Sequence, residues 1–202
     1  MKHEHLISFR LTQMWTLCKL FVAFIIALFE KRKRIWLIAE RGIDARDNGY
    51  WFFLYMKEKH PEQEEYYVIS NDSPDRKKLS AYASSLLDYC SMQHYIMLWK
   101  ATYLVSSHVQ GYFPFAGLGL WLKKVVPYYA RKKHIGLKHG ITKDYMSYMN
   151  YENTTLDLII AVVKPEYDFF ISQNNYPSNH VALTGFARFD NLKTTQKRRQ
   201  IL

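Results

Sequence analysis

Short apolar segments alternate along this chain with segments of helical spacing, and no other feature limits its possible folds as much. Strands that alternate with helices are typical of βαβ units with a parallel sheet. We therefore predict an α/β fold with a Rossmann-like parallel sheet over residues 35–192. The six expected strands lie at residues 35–38, 66–70, 102–106, 134–138, 156–162 and 180–184, and the expected helices lie at residues 50–59, 91–101 and 164–174, with a short one ending near residue 83.

Residues with capping or turn preferences mark the ends of several segments. Asp47 or Asn48 can cap the helix at residues 50–59, and Pro61 ends it. Residues 111–121 are rich in glycine and aromatic side chains, which favours a loop with short helical pieces. We expect this loop to lead from the third strand toward the fourth.

A polar cluster follows each of four expected strands. Because parallel strands end at the same edge of a sheet, these clusters should converge where open α/β sheets bind their ligands. Arginine side chains match phosphate oxygens there, and nearby acids can hold the arginines in place. A ring of surface ion pairs, each worth about 0–1 kcal/mol, is the alternative interpretation, but the convergence favours a pocket for an anionic ligand. The candidate ligand-binding residues are Arg41, Arg46, Asp47, Asn48, His108, Lys138, Gly140, Arg188 and Asp190.

His139 and Gly140 interrupt the chain directly after the fourth expected strand. Gly140 can adopt backbone angles that other residues resist, so we expect a sharp turn at this position. Histidine is also the side chain whose unperturbed pKa lies nearest neutrality, which suits a general base. From residues 134–144 alone, a histidine packed beside a turn is the preferred interpretation. The convergence of the other clusters makes His139 a candidate catalytic residue.

The composition adds constraints on the partner and on the chemistry. The formal charge of +10 over 202 residues predicts an anionic partner such as nucleic acid, acidic lipid or a phosphate-rich substrate. The two cysteines, Cys18 and Cys90, form no disulfide framework, which fits a reducing compartment. The sequence has no Walker-type loop, no G-x-G-x-x-G after a strand, no zinc-ligand spacing and no G-x-S-x-G elbow. Dehydrogenase, hydrolase and zinc-enzyme functions are therefore disfavoured, and we expect no metal site.

Residues 1–34 form an arm of a different character. Residues 20–29 are continuously apolar, which is shorter than the roughly 20 residues that span a bilayer. Basic residues at 31–34 follow, and Trp15 and Phe21 suit the boundary between headgroups and acyl chains. We predict an amphipathic helix that lies on the cytoplasmic face of a membrane with anionic lipid. An ordinary core helix with a solvated basic end is the alternative.

Five motifs follow one another along the chain. They are ERGIDARDNGYWFFLYMKEKHPE from residue 40, YYVIS from residue 66, LVSSH from residue 104, LKHGITKD from residue 137 and LTGFARFDNL from residue 183. In this order they resemble the CDP-glycerol glycerophosphotransferase family, which comprises teichoic-acid and capsule polymerases and related polyol-phosphate transferases. The resemblance covers roughly residues 35–192.

The resemblance implies a fold, a reaction and a location. It implies two Rossmann-like domains that face a cleft, the GT-B arrangement, of which this chain has the amino-terminal, acceptor-side domain. The implied enzyme is peripheral to the cytoplasmic side of the cell membrane. It transfers glycerol or ribitol phosphate from a CDP-activated donor to a lipid-linked polymer acceptor, without a cofactor. By the same resemblance, His139 is the base that deprotonates the acceptor hydroxyl, and Arg188 and Asp190 belong to a G-F-x-R-x-D motif.

Two features depart from the family pattern. Lys138 stands where many relatives carry glutamine, which would alter the charge of the pocket. The chain ends at Leu202, so we expect residues 193–202 to be a linker into a nucleotide-binding second domain that this chain lacks. We therefore expect a truncated transferase that is inactive by itself.

Two other functions are consistent with parts of the sequence. A non-catalytic basic α/β module that binds anionic lipid or polymer would explain the charge and the fold. A nucleic-acid binder would explain the charge and the aromatic residues, but no recognition-helix or RNA-binding signature is present. We therefore expect no nucleic-acid partner, while an oligomer remains compatible with the sequence.

Overall fold

The computed structural model describes residues 2–29, 34–109, 111–115 and 117–192, with the side chains of residues 2–11 left out. The described residues form one seven-stranded sheet in which all neighbouring strands are parallel. In chain order the strands are β1 (Ile35–Ala39), β2 (Glu64–Val68), β3 (Leu86–Leu87), β4 (Tyr103–Ser106), β5 (Lys133–Gly136), β6 (Leu158–Ala161) and β7 (Val181–Leu183).

The order of the strands across the sheet is β3-β2-β1-β4-β5-β6-β7. From β1 the chain first builds outward to β3, and it then returns to the other side of β1 and builds outward to β7. The direction of winding therefore reverses between β1 and β4. In open α/β sheets, the crevice at the carboxyl ends of the strands beside such a reversal is where ligands bind.

Besides the strands, the described residues form six helices and five 3₁₀ segments; the first helix precedes β1, the last 3₁₀ segment follows β7, and the others connect strands. The helices are α1 (Lys2–Leu28), α2 (Asn48–Lys59), α3 (Met92–Lys100), α4 (Leu118–Val125), α5 (Pro127–Ala130) and α6 (Lys164–Ser172). The 3₁₀ segments are Arg76–Ser85, Ser147–Met149, Tyr151–Asn153, Ser178–His180 and Ala187–Asn191.

The predicted α/β fold with a parallel sheet is confirmed. All six expected strands are present, and β3, which has two residues, is an addition that the sequence analysis did not predict. β5 ends at Gly136, two residues earlier than expected, because the backbone of Lys138 turns into the left-handed region. The loop expected at residues 111–121 leads into α4 and α5 before β5 begins.

The two faces of the sheet bury different side chains because successive residues of a strand point in opposite directions. On one face, Ile35 and Leu37 pack with residues of α3, α4 and α5, and the core continues under α6 with Ile159 and Phe170. On the opposite face, Ile38 and residues of β2, β4 and β6 pack under α2. The neighbouring 3₁₀ segment Ala187–Asn191 also packs against α2.

The predicted helical arm is present as α1, which packs against α3. Leu20, Ala23 and Ala27 are buried, a spacing that places them on one side of the helix. The indole of Trp99 donates a 2.8 Å hydrogen bond to the carbonyl of Leu20, and its ring lies 4.8 Å from that of Phe24. No helix in the described ranges combines the length and hydropathy that crossing a bilayer requires. The basic residues 31–33 and the expected linker at 193–202 lie outside the described residues.

Candidate functional site

The loop after β5 carries the His139-Gly140 pair and is held from two sides. The amide of Leu137 donates a 2.8 Å hydrogen bond to the carbonyl of Ser106, which continues the contact between β5 and β4 beyond the strand. The side-chain amide of Asn48 then donates a 2.8 Å hydrogen bond to the carbonyl of Lys138. These contacts fix the backbone on both sides of the turn before it reaches His139.

The backbone bends at His139 and Gly140, where the sequence predicted a sharp turn, and the residue with a strained conformation in this loop is Lys138. Lys138 has a φ of 60°, in the left-handed region that L-residues seldom adopt, whereas Gly140 is not among the residues with positive φ. The turn expected at His139-Gly140 is thus present, but it does not depend on a positive φ at the glycine. The ammonium of Lys138 is buried beside the ring of Phe170 and bonded to the carboxylate of Glu166, and these contacts hold the residue in its strained conformation.

Glu166 joins three parts of the structure around the loop. One carboxylate oxygen accepts a hydrogen bond from the Lys138 ammonium and a 2.6 Å bond from the amide of Thr142. The other oxygen accepts a 2.8 Å bond from the amide of Val162, at the end of β6. Burial lowers the pKa of Lys138, while the charge of Glu166 opposes that shift. The Lys138 ammonium is thus engaged in a structural ion pair and is not a free ligand for phosphate.

His139 lies on the surface, with its ring stacked on that of His108. The ring centroids are 4.7 Å apart, and the ring planes differ by 19°. His108 is only partly exposed, and its backbone amide donates a 3.0 Å hydrogen bond to the hydroxyl of Ser106. Burial lowers the pKa of His108, and positive charge on His139 and Arg41 lowers it further. The stack therefore joins a solvent-facing imidazole to a second imidazole that stays neutral at neutral pH.

Arg188 links the carboxyl-terminal segment to this loop and to the start of α2. Its guanidinium donates a 2.5 Å bond to the carboxylate of Asp47 and a 2.9 Å bond to the carbonyl of His139. Its backbone amide donates a 3.1 Å bond to the side-chain oxygen of Asn48. Asp47, Asn48, His139 and Arg188, which come from three distant parts of the sequence, are thus brought together at the carboxyl edge of the sheet.

The carboxylate of Glu40 binds the backbone at the amino terminus of α2, a structural role that was not predicted from the sequence. One of its carboxylate oxygens accepts hydrogen bonds from the amides of Asp47 and Tyr50, and the other accepts one from Arg46. Such amides have no partner within the helix, and the positive end of the helix favours a carboxylate. Burial nevertheless raises the pKa of Glu40. The arrangement holds Asp47 and Asn48 in position.

A glycine allows the strand ends to approach one another closely. A side chain at Gly111 would place its Cβ 1.5 Å from the carbonyl oxygen of Glu40 and 2.4 Å from the hydroxyl of Ser106. The hydroxyl of Ser107 also accepts a 2.7 Å hydrogen bond from the amide of Gly49. The sequence predicted residues 111–121 only as a loop. The structure shows that position 111 requires glycine, because a side chain there would collide with Glu40 and Ser106.

The remaining predicted site residues lie around the cluster and not within it. Arg41 bonds to Asp44, with the Nε atom 2.7 Å from the carboxylate. Arg46 bonds to Asp75 at 2.8 Å and contacts Asp44, so its charge is compensated by acids that also hold the loop after β1. Asp190 is exposed and lines a separate cavity beside α2. Arg188 is therefore the predicted cation that directly contacts the His139 loop.

One protein family matches most of this chain. The sequence profile described as CDP-Glycerol:Poly(glycerophosphate) glycerophosphotransferase matches residues 20–200. The chain belongs to this glycerophosphotransferase family. The resemblance predicted from the five motifs is thereby confirmed, and each of those motifs lies within the matched residues.

Among characterised members, the chain is similar to the Minor teichoic acid biosynthesis protein GgaB of Bacillus subtilis (strain 168). The two sequences are 30% identical over 175 residues, which is 85% of this chain and 19% of GgaB. This glycerophosphotransferase-family chain thus spans about a fifth of the length of that relative. GgaB's name associates it with teichoic acid biosynthesis, and hence with the cell envelope.

The fold of this family member is also that of solved structures. The Wall Teichoic Acid Polymerase TagF matches 95% of this chain with 49% of its own, at 14% identity and a TM-score of 0.58. A TagF variant soaked with CDPG matches 92% of this chain with 49% of its own, at 16% identity and a TM-score of 0.57. These matches support the Rossmann-like fold, and the chain spans about half the length of TagF.

Proposed function

We propose that this chain is the acceptor-side half of a polyol-phosphate transferase and that His139 is its general base. The observation that carries the proposal is the placement of an exposed imidazole at the carboxyl edge of the sheet, with its loop fixed by Asn48, Glu166 and Arg188. A base needs access to its substrate and a fixed position, and this loop provides both. Membership of the glycerophosphotransferase family supports transfer of a polyol phosphate as the reaction.

The proposed reaction joins an acceptor hydroxyl to the phosphorus of a CDP-activated polyol. His139 takes the hydroxyl proton as the new oxygen–phosphorus bond forms. The bond between that phosphorus and the bridging oxygen of the CDP group breaks, and CMP leaves with the electron pair. Glycerol phosphate or ribitol phosphate is thereby transferred to the end of a lipid-linked teichoic-acid or capsule polymer.

The neighbours of His139 support this role in two ways. His108, whose pKa is lowered, remains a neutral surface against which the His139 ring stacks, so it adds no competing positive charge. Arg188 is held by Asp47 and lies beside the His139 carbonyl, where a guanidinium can balance negative charge that develops on a phosphoryl group. The charge of Arg41, which is itself paired with Asp44, also lowers the pKa of His108.

We further propose that the exposed side of α1 rests on the cytoplasmic face of the membrane. The exposed side of α1 carries apolar side chains, whereas a helix that faces water normally carries polar ones there. This apolar surface continues onto α4, and a cleft of about 220 Å³ lies between the two helices. Lys19 on α1 and Lys124 on α4 belong to the same two helices, and their ammonium groups can attract anionic headgroups. We call it the α1 surface; its exposed apolar residues are Met14, Trp15, Leu17, Phe21, Val22, Ile25, Ile26, Leu28, Phe29, Trp121 and Val125.

A reconstituted transfer assay tests the proposed function. Purified chain would be incubated with membranes that contain a lipid-linked acceptor and with radiolabelled CDP-glycerol or CDP-ribitol. A second polypeptide, which carries the remaining half of a family member, would be supplied in parallel reactions. We expect incorporation of label only when both polypeptides are present. Absence of label in every reaction, with retained binding to the acceptor membranes, would contradict the proposal and support a non-catalytic binding module.

A further inference from the structure

The cavity that Asp190 lines is close to His139, on the face of the sheet that α2 covers. Its volume of about 440 Å³ falls within the range of roughly 300–1,000 Å³ that is typical of small-molecule sites. α2 forms one wall, and the chain that follows β7 forms the other. Leu137 and Ile160 form part of its base, where the sheet ends.

The walls of this cavity present two kinds of side chain. Trp51 and Tyr55 stand four residues apart on α2, so both rings lie on the same side of the helix and line the cavity. Asp190, Asn191 and Thr184 line it from the carboxyl-terminal segment, and Glu58 lies one turn beyond Tyr55. No lysine, arginine or histidine is among the described residues that line it.

These side chains select one class of ligand. A phosphate group would meet the carboxylates of Glu58 and Asp190 with no cation in the lining to balance them, which disfavours its binding. A purely apolar ligand would strip water from the same carboxylates without giving them a hydrogen bond. A ring with apolar faces and hydroxyl groups at its edge can stack on an indole while its hydroxyls donate to carboxylate and amide oxygens.

The cavity is also close to the proposed catalytic base. Leu137 precedes His139 by two residues, so their Cα atoms are at most about 7.6 Å apart. On the opposite wall, Asp190 follows Arg188 by two residues, and Arg188 contacts the His139 loop. A chain molecule whose terminal hydroxyl reaches His139 can therefore place a neighbouring unit in this cavity.

We propose that this cavity binds an uncharged pyranose ring of the acceptor and is distinct from the phosphate-binding part of the site. The proposal rests on the proposed transfer reaction for the identity of the acceptor. The ring stacks on Trp51, and its hydroxyls donate hydrogen bonds to Asp190 and Asn191. The site would thus fix the distance between the sugar and the hydroxyl that receives the polyol phosphate.

Saturation-transfer NMR on the 202-residue chain tests this site without a transfer reaction. The probes would be methyl α-D-glucopyranoside, methyl α-D-galactopyranoside and sn-glycerol 3-phosphate. We expect transfer of saturation to the ring protons of at least one glycoside. Trp51→Ala should weaken that binding by about fivefold to tenfold, as loss of an aromatic contact does, and Trp51→Phe should restore part of it.

Two controls separate the possible causes of a negative result. Tyr148→Ala removes an exposed aromatic ring that does not line the cavity, and it should leave glycoside binding unchanged. His139→Ala should also leave it unchanged, because His139 is required for transfer and not for sugar binding. Absence of transfer by the wild-type chain in the two-polypeptide assay, with intact glycoside binding, would refute only the proposed function.

Two outcomes would overturn the inference about the cavity itself. One is the absence of saturation transfer to either glycoside in a folded wild-type chain. The other is a signal from sn-glycerol 3-phosphate that disappears in Trp51→Ala, since the cavity would then bind a phosphate ester. Circular dichroism of each variant would establish that the fold is retained.

Discussion

Lys138 and Glu166 form a buried ion pair that ties the loop of the candidate base to the first turn of α6. The two residues are 28 positions apart in the sequence. Glu166 also accepts hydrogen bonds from the amides of Thr142 and Val162, so a single carboxylate fixes both ends of the loop and the end of β6. The position of His139 thus depends on a buried residue outside its own loop.

Glu166→Gln should destabilise the protein and loosen the His139 loop. The variant leaves the Lys138 ammonium buried without its carboxylate, which costs about 3–5 kcal/mol when a buried pair is broken. Urea unfolding measures the change. Glu152→Gln, at an exposed glutamate outside this pair, is the matched control and should change stability by less than about 0.5 kcal/mol. Similar losses in the two variants would contradict the structural role of Glu166.

Adding Lys138→Gln to Glu166→Gln should recover part of that loss, because no unpaired charge then remains buried. We expect a coupling free energy of about 1–3 kcal/mol from the double-mutant cycle. Additive effects of the two substitutions would show that the pair is not coupled in solution.

Arg188→Lys should reduce transfer even though the positive charge is kept. Arg188 reaches both Asp47 and the carbonyl of His139 through one nitrogen, Nη1, which the planar guanidinium holds in place, whereas the ammonium of a lysine lies on a shorter and more flexible side chain. A misplacement of about 1 Å costs roughly 100-fold in rate, so we expect kcat to fall by about ten- to 100-fold. Arg131→Lys, at an exposed arginine after α5, is the control. Unchanged kcat in Arg188→Lys would show that the bridge is dispensable.

The stability of the chain should fall as the pH falls below about 6.5. Burial lowers the pKa of His94 to about 4, and it lowers the pKa of His134 well below the ordinary value. Between the lowered pKa of the folded chain and the ordinary histidine pKa of about 6.5, the unfolded chain therefore binds more protons than the folded chain. The contribution of these neutral histidines to stability is complete above about pH 6.5 and is lost progressively as the pH falls. For His94 alone, the free energy of unfolding should be lower by about 2 kcal/mol at pH 5 than at pH 7.

Urea unfolding at pH 7 and pH 5 measures this loss, with His94→Gln as the test variant. Glutamine can accept the hydrogen bond that the amide of Cys90 donates to His94, but it does not titrate. The difference between the two pH values should therefore shrink in His94→Gln. His60→Ala, which removes a partly exposed histidine, should leave the difference as it is. An identical acid sensitivity in wild type and His94→Gln would be incompatible with a neutral, buried His94.

The double substitution Trp15→Glu and Phe21→Glu should weaken binding to anionic vesicles by about tenfold or more. Both side chains are roughly two-thirds exposed on the α1 surface, at 64% and 65%, and carboxylates there would oppose both the apolar and the electrostatic attraction. Co-sedimentation with vesicles that contain phosphatidylglycerol gives the measurement. Leu183→Glu, at an exposed leucine on the edge strand β7, is the control. Retained binding by the double variant would exclude the α1 surface as the attachment site.

The architecture could be predicted from sequence because short apolar strands and helical segments alternate regularly. The strands that were placed correctly, such as β1 and β4, are buried runs whose polar clusters begin directly after them. β3 was missed because its two residues are too few to give a pattern. The end of β5 was misplaced because tertiary contacts of Lys138 decide the turn there, and no local propensity favours it.

The sequence indicated which residues lie together at the candidate site, but it did not indicate most of the contacts that hold them there. His108, His139, Asp47, Asn48 and Arg188 converge because each follows a strand or begins a helix at the same edge of the sheet. Glu166 and Glu40 were not predicted as anchors, since their partners are backbone amides that a sequence cannot identify. An acid in the first turn of α6, after Pro165, was the available signal for Glu166.

The measurement that tests the central claim most directly is the transfer rate of His139→Ala in the two-polypeptide reaction. Ile141→Ala is the matched control, because Ile141 is an exposed residue of the same loop that cannot accept a proton. We expect loss of a general base to lower kcat by about 100- to 10,000-fold, with folding and acceptor-membrane binding retained, and Ile141→Ala to remain near the wild-type rate. Turnover of His139→Ala close to that of Ile141→Ala would contradict the assignment of His139 as the base.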